Sequence, residues 1–103
     1  MPQVSVIAKL IAKEGKRDEL VKQLSKLVAA AEEEPGTLVY SLNLSATEPE
    51  VVYFFELYTD QAALDVHGKS DAFKAAGAGM GDLLGGKPEL YLCELAVAKG
   101  LPS

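Results

Sequence analysis

Apolar and polar positions change rhythm four times along this chain. Residues 3–12 are rich in Val, Ile, Ala and Leu and predict a first strand. Val4, Val6, Ala8 and Leu10 share one face, and Ser5, Ile7, Lys9 and Ile11 the other. Both faces carry apolar side chains, so both expect cover. Gly15 breaks the run. A helical period follows over about 16–33, with Leu20, Leu24, Leu27, Val28 and Ala31 on one stripe. Pro35-Gly36 stops it, and Glu32-Glu33-Glu34 reads as a solvated last turn.

Two strands are predicted next, about 37–45 and 51–59, joined by the polar loop Ala46-Thr47-Glu48-Pro49-Glu50. Tyr40, Leu42 and Leu44 fall on one face of the first. Phe54, Glu56 and Tyr58 fall on one face of the second, where Val51 to Phe55 is apolar on both sides. Asp60 is an N-cap signal for a helix over about 60–67, which Gly68 can end in a left-handed conformation. Ser70 can cap a further helix over about 71–80. A glycine-rich stretch from Gly77 to Gly86 reads as a mobile connection, and Pro88 introduces a last strand over about 89–98.

The order β-α-β-β-α-β predicts an α+β, ferredoxin-like domain spanning 1–103, with a four-stranded antiparallel sheet and helices on one face. The other face would be an apolar patch too large to leave bare. A homodimer through that open sheet face resolves it.

Composition narrows the partners. The chain has 103 residues, a net charge of -5 and one arginine, Arg17. Phosphate backbones and anionic membranes select clustered Lys and Arg, so neither nucleic acid nor membrane is expected. No apolar run approaches the ~20 residues of a membrane span. The N-terminus has no basic segment ahead of an apolar one, and the lone Cys93 fits a reducing compartment, so a cytoplasmic location is expected.

Gly81 to Lys87 matches a phosphate loop as far as its lysine. Pro88 then replaces the magnesium-binding hydroxyl, and a strand follows where a helix is needed, so nucleotide binding is rejected. His67 is the only histidine, which excludes a multi-histidine metal site; no metal and no organic cofactor are expected. Three residues after Leu64, it turns toward the sheet. The plain reading is a core histidine with satisfied hydrogen bonds; the alternative is a general base. Glu56 lies mid-strand, where a buried carboxylate needs a partner. It either makes a structural hydrogen bond or orients the His67 imidazole as its catalytic partner. Tyr40, Phe54, Tyr58 and Phe73 are candidate walls of a substrate pocket in the same layer, with plain core packing as the alternative.

Four segments together resemble one family. Glu34-Pro35-Gly36-Thr37-Leu38-Val39-Tyr40 resembles the Glu-Pro-Gly-x-x-x-Tyr signature of the antibiotic biosynthesis monooxygenase domain. Phe54-Phe55-Glu56-Leu57-Tyr58 resembles its Phe-x-Glu-x-(Trp/Tyr) strand. Asp60 to His67 resembles its Ala-Leu-x-x-His helix, and Ser70 to Phe73 the following Ser-x-x-Phe. The resemblance spans about residues 4–97 and implies a dimeric α/β barrel of ferredoxin-like subunits. It implies activities ranging from cofactor-independent oxidation of quinols and polyketide aromatics to haem breakdown and sugar-phosphate isomerisation. Asp71 stands where many members have a second histidine, and the chain has no tryptophan, which sets the haem-degrading set aside. The expectation is a cofactor-independent monooxygenase of a small phenolic or quinol-like aromatic. The alternatives are a non-catalytic ligand-binding or stress-response module on the same scaffold, and an isomerase of a small phosphorylated sugar-like signal.

Overall fold

The computed structural model describes residues 2–101; Met1, Pro102 and Ser103 lie outside the described residues. Strand β1, Val4–Ile11, is followed by helix α1, Arg17–Ala31, and by β2, Thr37–Leu44, and β3, Val51–Tyr58. Helices α2, Gln61–Lys69, and α3, Asp71–Met80, come next, then a single 3-10 turn, Gly81–Leu83, and β4, Glu89–Glu94. The sheet is antiparallel with order β2-β3-β1-β4, the ferredoxin-like arrangement.

Register follows the period-two pattern. Val6 faces Glu56, Ala8 faces Phe54 and Leu10 faces Val52 across β1 and β3. These positions share the helix-facing side with Tyr40 and Leu42 of β2. Ala8, Leu10, Val52 and Phe54 pack with Leu20, Leu24 and Leu27 of α1 and Ala76 of α3 to form the core, and Tyr40 and Leu42 pack against it. The α1 stripe is the one its spacing predicts, with Leu20 at 0% and Leu24 at 1% exposure. Burying a leucine of this kind contributes roughly 1.5–3 kcal/mol, so the stripe fixes the helix on the sheet. The Arg17 guanidinium reaches across to the β2–β3 loop and donates to the carbonyls of Ser45, Glu48 and Val51. The single arginine is thus a clamp on the hairpin.

Four expectations are corrected. Helix α1 ends at Ala31, so Glu34 belongs to the turn into β2. Gly68 does not take a left-handed conformation; α2 continues through it to Lys69. The Gly77–Gly86 segment is helical to Met80 and then tied to β1. Lys13 donates to Leu83 O at 2.8 Å, and Gly85 donates to Ile11 O at 2.7 Å. A Cβ on Gly85 would lie 2.8 Å from Ala12 O, so this glycine is needed for close approach. Strand β4 stops at Glu94, four residues early: Leu95 makes one more backbone bond, to Gln3 O, and Val97 is 90% exposed.

The face away from the helices carries Ile7, Tyr53, Phe55 and Tyr91 beside Lys9, Ser41 and Asn43. Ile7 and Tyr91 are exposed there, and so are Leu90 and Leu92 on the other side of β4, which the helices do not reach. Among the described residues no helix is long and apolar enough to cross a membrane.

Candidate functional site

Helix α2 begins on Asp60, whose carboxylate accepts from Ala63 N at 2.9 Å. Its last turn carries His67. Ser70 closes α2 and opens α3. Its hydroxyl donates to His67 O at 2.8 Å and accepts from Phe73 N at 3.1 Å. One side chain therefore fixes both the backbone of His67 and the helix that carries Phe73.

His67 is 3% exposed, and its imidazole lies among aromatic rings. Its centroid is 4.8 Å from that of Tyr40, 5.7 Å from Tyr58 and 5.4 Å from Phe73, which meets it edge-on. Tyr40 in turn packs on Phe54 at 4.9 Å. All four aromatic residues expected from the sequence therefore converge on this layer: Tyr40 from β2, Phe54 and Tyr58 from β3, and Phe73 from α3. The bulge between Thr37 and Val39 sets the register that brings Tyr40 opposite Glu56.

The expected Glu56–His67 pair is not what forms. The Glu56 carboxylate accepts from the Tyr58 hydroxyl at 2.6 Å. His67 Nδ1 instead meets Glu34 Oε1 at 2.9 Å. Glu34 also accepts from Thr37 Oγ1 at 2.9 Å. The physical reason is topology: the turn after α1 packs on the start of α2 through Gly36, which brings Glu34 to His67, whereas Glu56 lies within the sheet beside Tyr58. Glu34 was read as a solvated residue in a run of three glutamates. The signal that singles it out is its place at the head of the Glu-Pro-Gly-x-x-x-Tyr segment, directly before Pro35-Gly36, which ends the helix and turns the chain back toward β2.

The other imidazole nitrogen, Nε2, is buried and has no hydrogen-bond partner among the described residues. A buried polar atom left unpaired costs on the order of 1–3 kcal/mol, so such an atom marks a place where a ligand group would be welcome.

The electrostatics of the layer favour neutral acids. Burial pushes the Glu56 carboxyl above its ordinary value; the Tyr58 hydroxyl and the His67 ring pull it partly back, and Glu34 adds to the rise. Burial also holds the Tyr58 and Tyr40 phenols far above theirs, helped by the charge of Glu56. Both tyrosines therefore keep their phenolic protons, and that of Tyr58 is donated to Glu56.

A cavity of about 320 Å³ opens beside Tyr40, lined by Val28, Ala31, Glu32, Thr37, Leu38 and Tyr40. His67 does not line it. Tyr40 is the wall between the cavity and the imidazole, and Phe73, 43% exposed, is the wall on the α3 side. No group of three or more His, Cys, Asp and Glu side chains among the described residues could hold a metal ion.

Comparison with known proteins places this geometry. Residues 3–79 match the family model described as antibiotic biosynthesis monooxygenase. That span holds β1 to α2, all of α3 but its last residue, and every residue of the aromatic layer. The fold superposes on a candidate antibiotic biosynthesis monooxygenase of Caulobacter crescentus with a TM-score of 0.89 and 38% identity, covering 93% of this chain and 92% of that one. A protein of Shewanella oneidensis gives a TM-score of 0.82 at 33% identity, covering 92% and 94% of the two chains. An uncharacterised protein of Synechocystis is 26% identical over 98 residues, 95% of this chain and 67% of its own length. The chain belongs to the antibiotic biosynthesis monooxygenase family.

Proposed function

We propose that this protein is a cofactor-independent monooxygenase that oxidises a small phenolic or quinol-like aromatic with O2. The observation that carries the reading is Nε2 of His67, without a partner among the described residues and buried inside a ring of aromatic side chains. An aromatic substrate replaces ring–ring contacts already made there, and its hydroxyl supplies the donor that Nε2 lacks. His67 takes the phenol proton, and the electron-rich anion then meets O2 in a site that excludes water. The substrate loses two hydrogens and gains one oxygen atom; the second oxygen leaves as water, so the substrate supplies all the electrons. Tyr40, Phe54, Tyr58 and Phe73 bind the ring. Glu56, raised by burial, is a second proton site beside Tyr58. Entry requires Tyr40 or Phe73 to swing aside.

The working unit of this reading is a single-domain homodimer, joined through the open sheet face, in the reducing setting of the cytoplasm. The test of function is a panel of anthrone-like and naphthoquinol substrates under 18O2. One labelled oxygen in the product and one in water is expected. Product labelled only from solvent, or oxidation equal to that without protein, would remove the monooxygenase reading. Proton exchange at a substrate carbon without O2 uptake would favour an isomerase instead.

A further inference from the structure

Glu34, Pro35, Gly36 and Thr37 make a turn that does more than join α1 to β2. Gly36 is pressed against α2 so closely that a Cβ built on it would lie 2.5 Å from Ala63 Cβ and 3.3 Å from Thr59 Oγ1. Its carbonyl accepts from Thr59 N at 2.9 Å. The turn is thus docked on the first turn of α2 by a contact that only glycine permits. His67 is one helical turn further along the same helix, four residues past Ala63. Docking at Gly36 therefore sets where Glu34 falls: its Oε1 meets His67 Nδ1 at 2.9 Å, with the Glu34 side chain 13% and the His67 side chain 4% exposed. Thr37 Oγ1 donates to that same oxygen at 2.9 Å and holds it in place. Nothing in the aromatic layer offers Nε2 a partner in the meantime.

We infer that Glu34 is a positioning residue that locks the His67 tautomer. The Gly36–Ala63 contact seats the turn, and the Glu34 carboxylate accepts the Nδ1–H, so the proton stays on Nδ1 and the lone pair stays on Nε2. The two imidazole nitrogens are otherwise nearly equivalent, and the hydrogen bond at one decides the state of the other. The carboxylate is an acceptor with no proton to give, so it selects one tautomer, whereas a carboxamide in its place can either donate or accept. The inference rests on the proposed role of Nε2 for its functional meaning, but the tautomer is a property of the resting protein and is measured without substrate.

His67 is the only histidine of the chain, so 15N-histidine labelling gives one imidazole, free of overlap. At a pH where that imidazole is neutral, the wild type is expected to show a protonated Nδ1 and an unprotonated Nε2, with a bias of at least about tenfold, equivalent to ~1.4 kcal/mol. Glu34→Gln keeps the shape and is expected to collapse the bias toward a mixture. Gly36→Ala leaves Glu34 in the sequence but unseats it, and is expected to do the same. The double variant Gly36→Ala/Ala63→Gly removes the collision and is expected to restore the bias; a merely structural loss would not be rescued in the nitrogen shifts. A wild-type proton on Nε2, or wild-type shifts in Glu34→Gln, would overturn the inference. If Gly36→Ala does not fold, the Glu34→Gln spectrum decides alone. A locked tautomer in a protein that oxidises no quinol would leave this inference standing and remove the oxygenase reading. Oxidation by a protein with a mixed tautomer would do the reverse.

Discussion

Tyr58→Phe isolates a single buried hydrogen bond. Tyr58 is 0% exposed and Glu56 6% exposed, and the phenol donates to the carboxylate at 2.6 Å. Phenylalanine keeps the ring, so the contact with the imidazole at 5.7 Å and the packing under α2 survive. What goes is the donor. A hydrogen bond to a charged group contributes about 1.5–3 kcal/mol, and one between neutral groups about 0.5–1.5. The acceptor here titrates: burial raises the Glu56 pKa above the ordinary 4.5, and the Tyr58 hydrogen bond is the first influence opposing that rise. Losing the donor raises it further. The cost should therefore be about 1.5–3 kcal/mol where Glu56 is ionised, and should shrink to about 1 kcal/mol at acid pH where it is protonated. For a domain of this size 1 kcal/mol moves Tm by roughly 4–8 °C, so the drop at high pH is on the order of 6–24 °C. Urea denaturation at two pH values, at one protomer concentration, measures both limits. Equal losses at the two pH values would refute the reasoning, because the acceptor would then not become charged; no loss at either would refute it because the bond would then contribute nothing.

Further expectations test the rest of the structure. Glu56 titrates with a raised folded-state pKa, so the stability linked to it is full below the unfolded value and is lost as pH rises through the folded one. Glu56→Gln should flatten that decline in denaturation curves taken above pH 4.5. Gly85→Ala places a Cβ 2.8 Å from Ala12 O, a backbone atom that cannot yield, and should cost roughly 1–3 kcal/mol; a neutral result in urea would mean the segment adjusts freely. Sedimentation equilibrium should find a dimer at micromolar concentration, with an interface of ~2,000 Å² or more through Ile7, Phe55 and Tyr91. A monomer there would sink the assembly.

The legible part of this protein was what periodicity and local chemistry carry. Leu20, Leu24 and Leu27 announced α1, and they are the helix residues the core holds. Asp60 and Ser70 announced the two caps, and both accept the expected N–H bonds. His67 three residues after Leu64 turned it toward the sheet. Its partner was not legible, because Glu34 lies 33 residues away and only the docking of a turn on α2 brings the two together. Glu56 was read as unusual for the right reason, an acid inside a strand, and given the wrong neighbour; the hydroxyl two residues along its own strand was nearer. Strand β4 was read too long because Leu95 to Val97 alternate like a strand, and alternation does not reveal that β1 begins at Val4 and pairs β4 only as far as Glu94.

The central claim is that His67 Nε2 is a working base. His67 is buried against three rings, so its removal costs stability as well as activity, and the two must be separated. His67→Asn can keep a donor toward Glu34 while leaving no base at the Nε2 position. The measurement is O2 consumption with a reactive quinol, normalised to the folded fraction found by denaturation of the same sample. The account predicts turnover lower by ~10²–10⁴-fold per folded molecule, the contribution of a positioned acid–base group. A destabilised variant whose folded molecules turn over at the wild-type rate would contradict it.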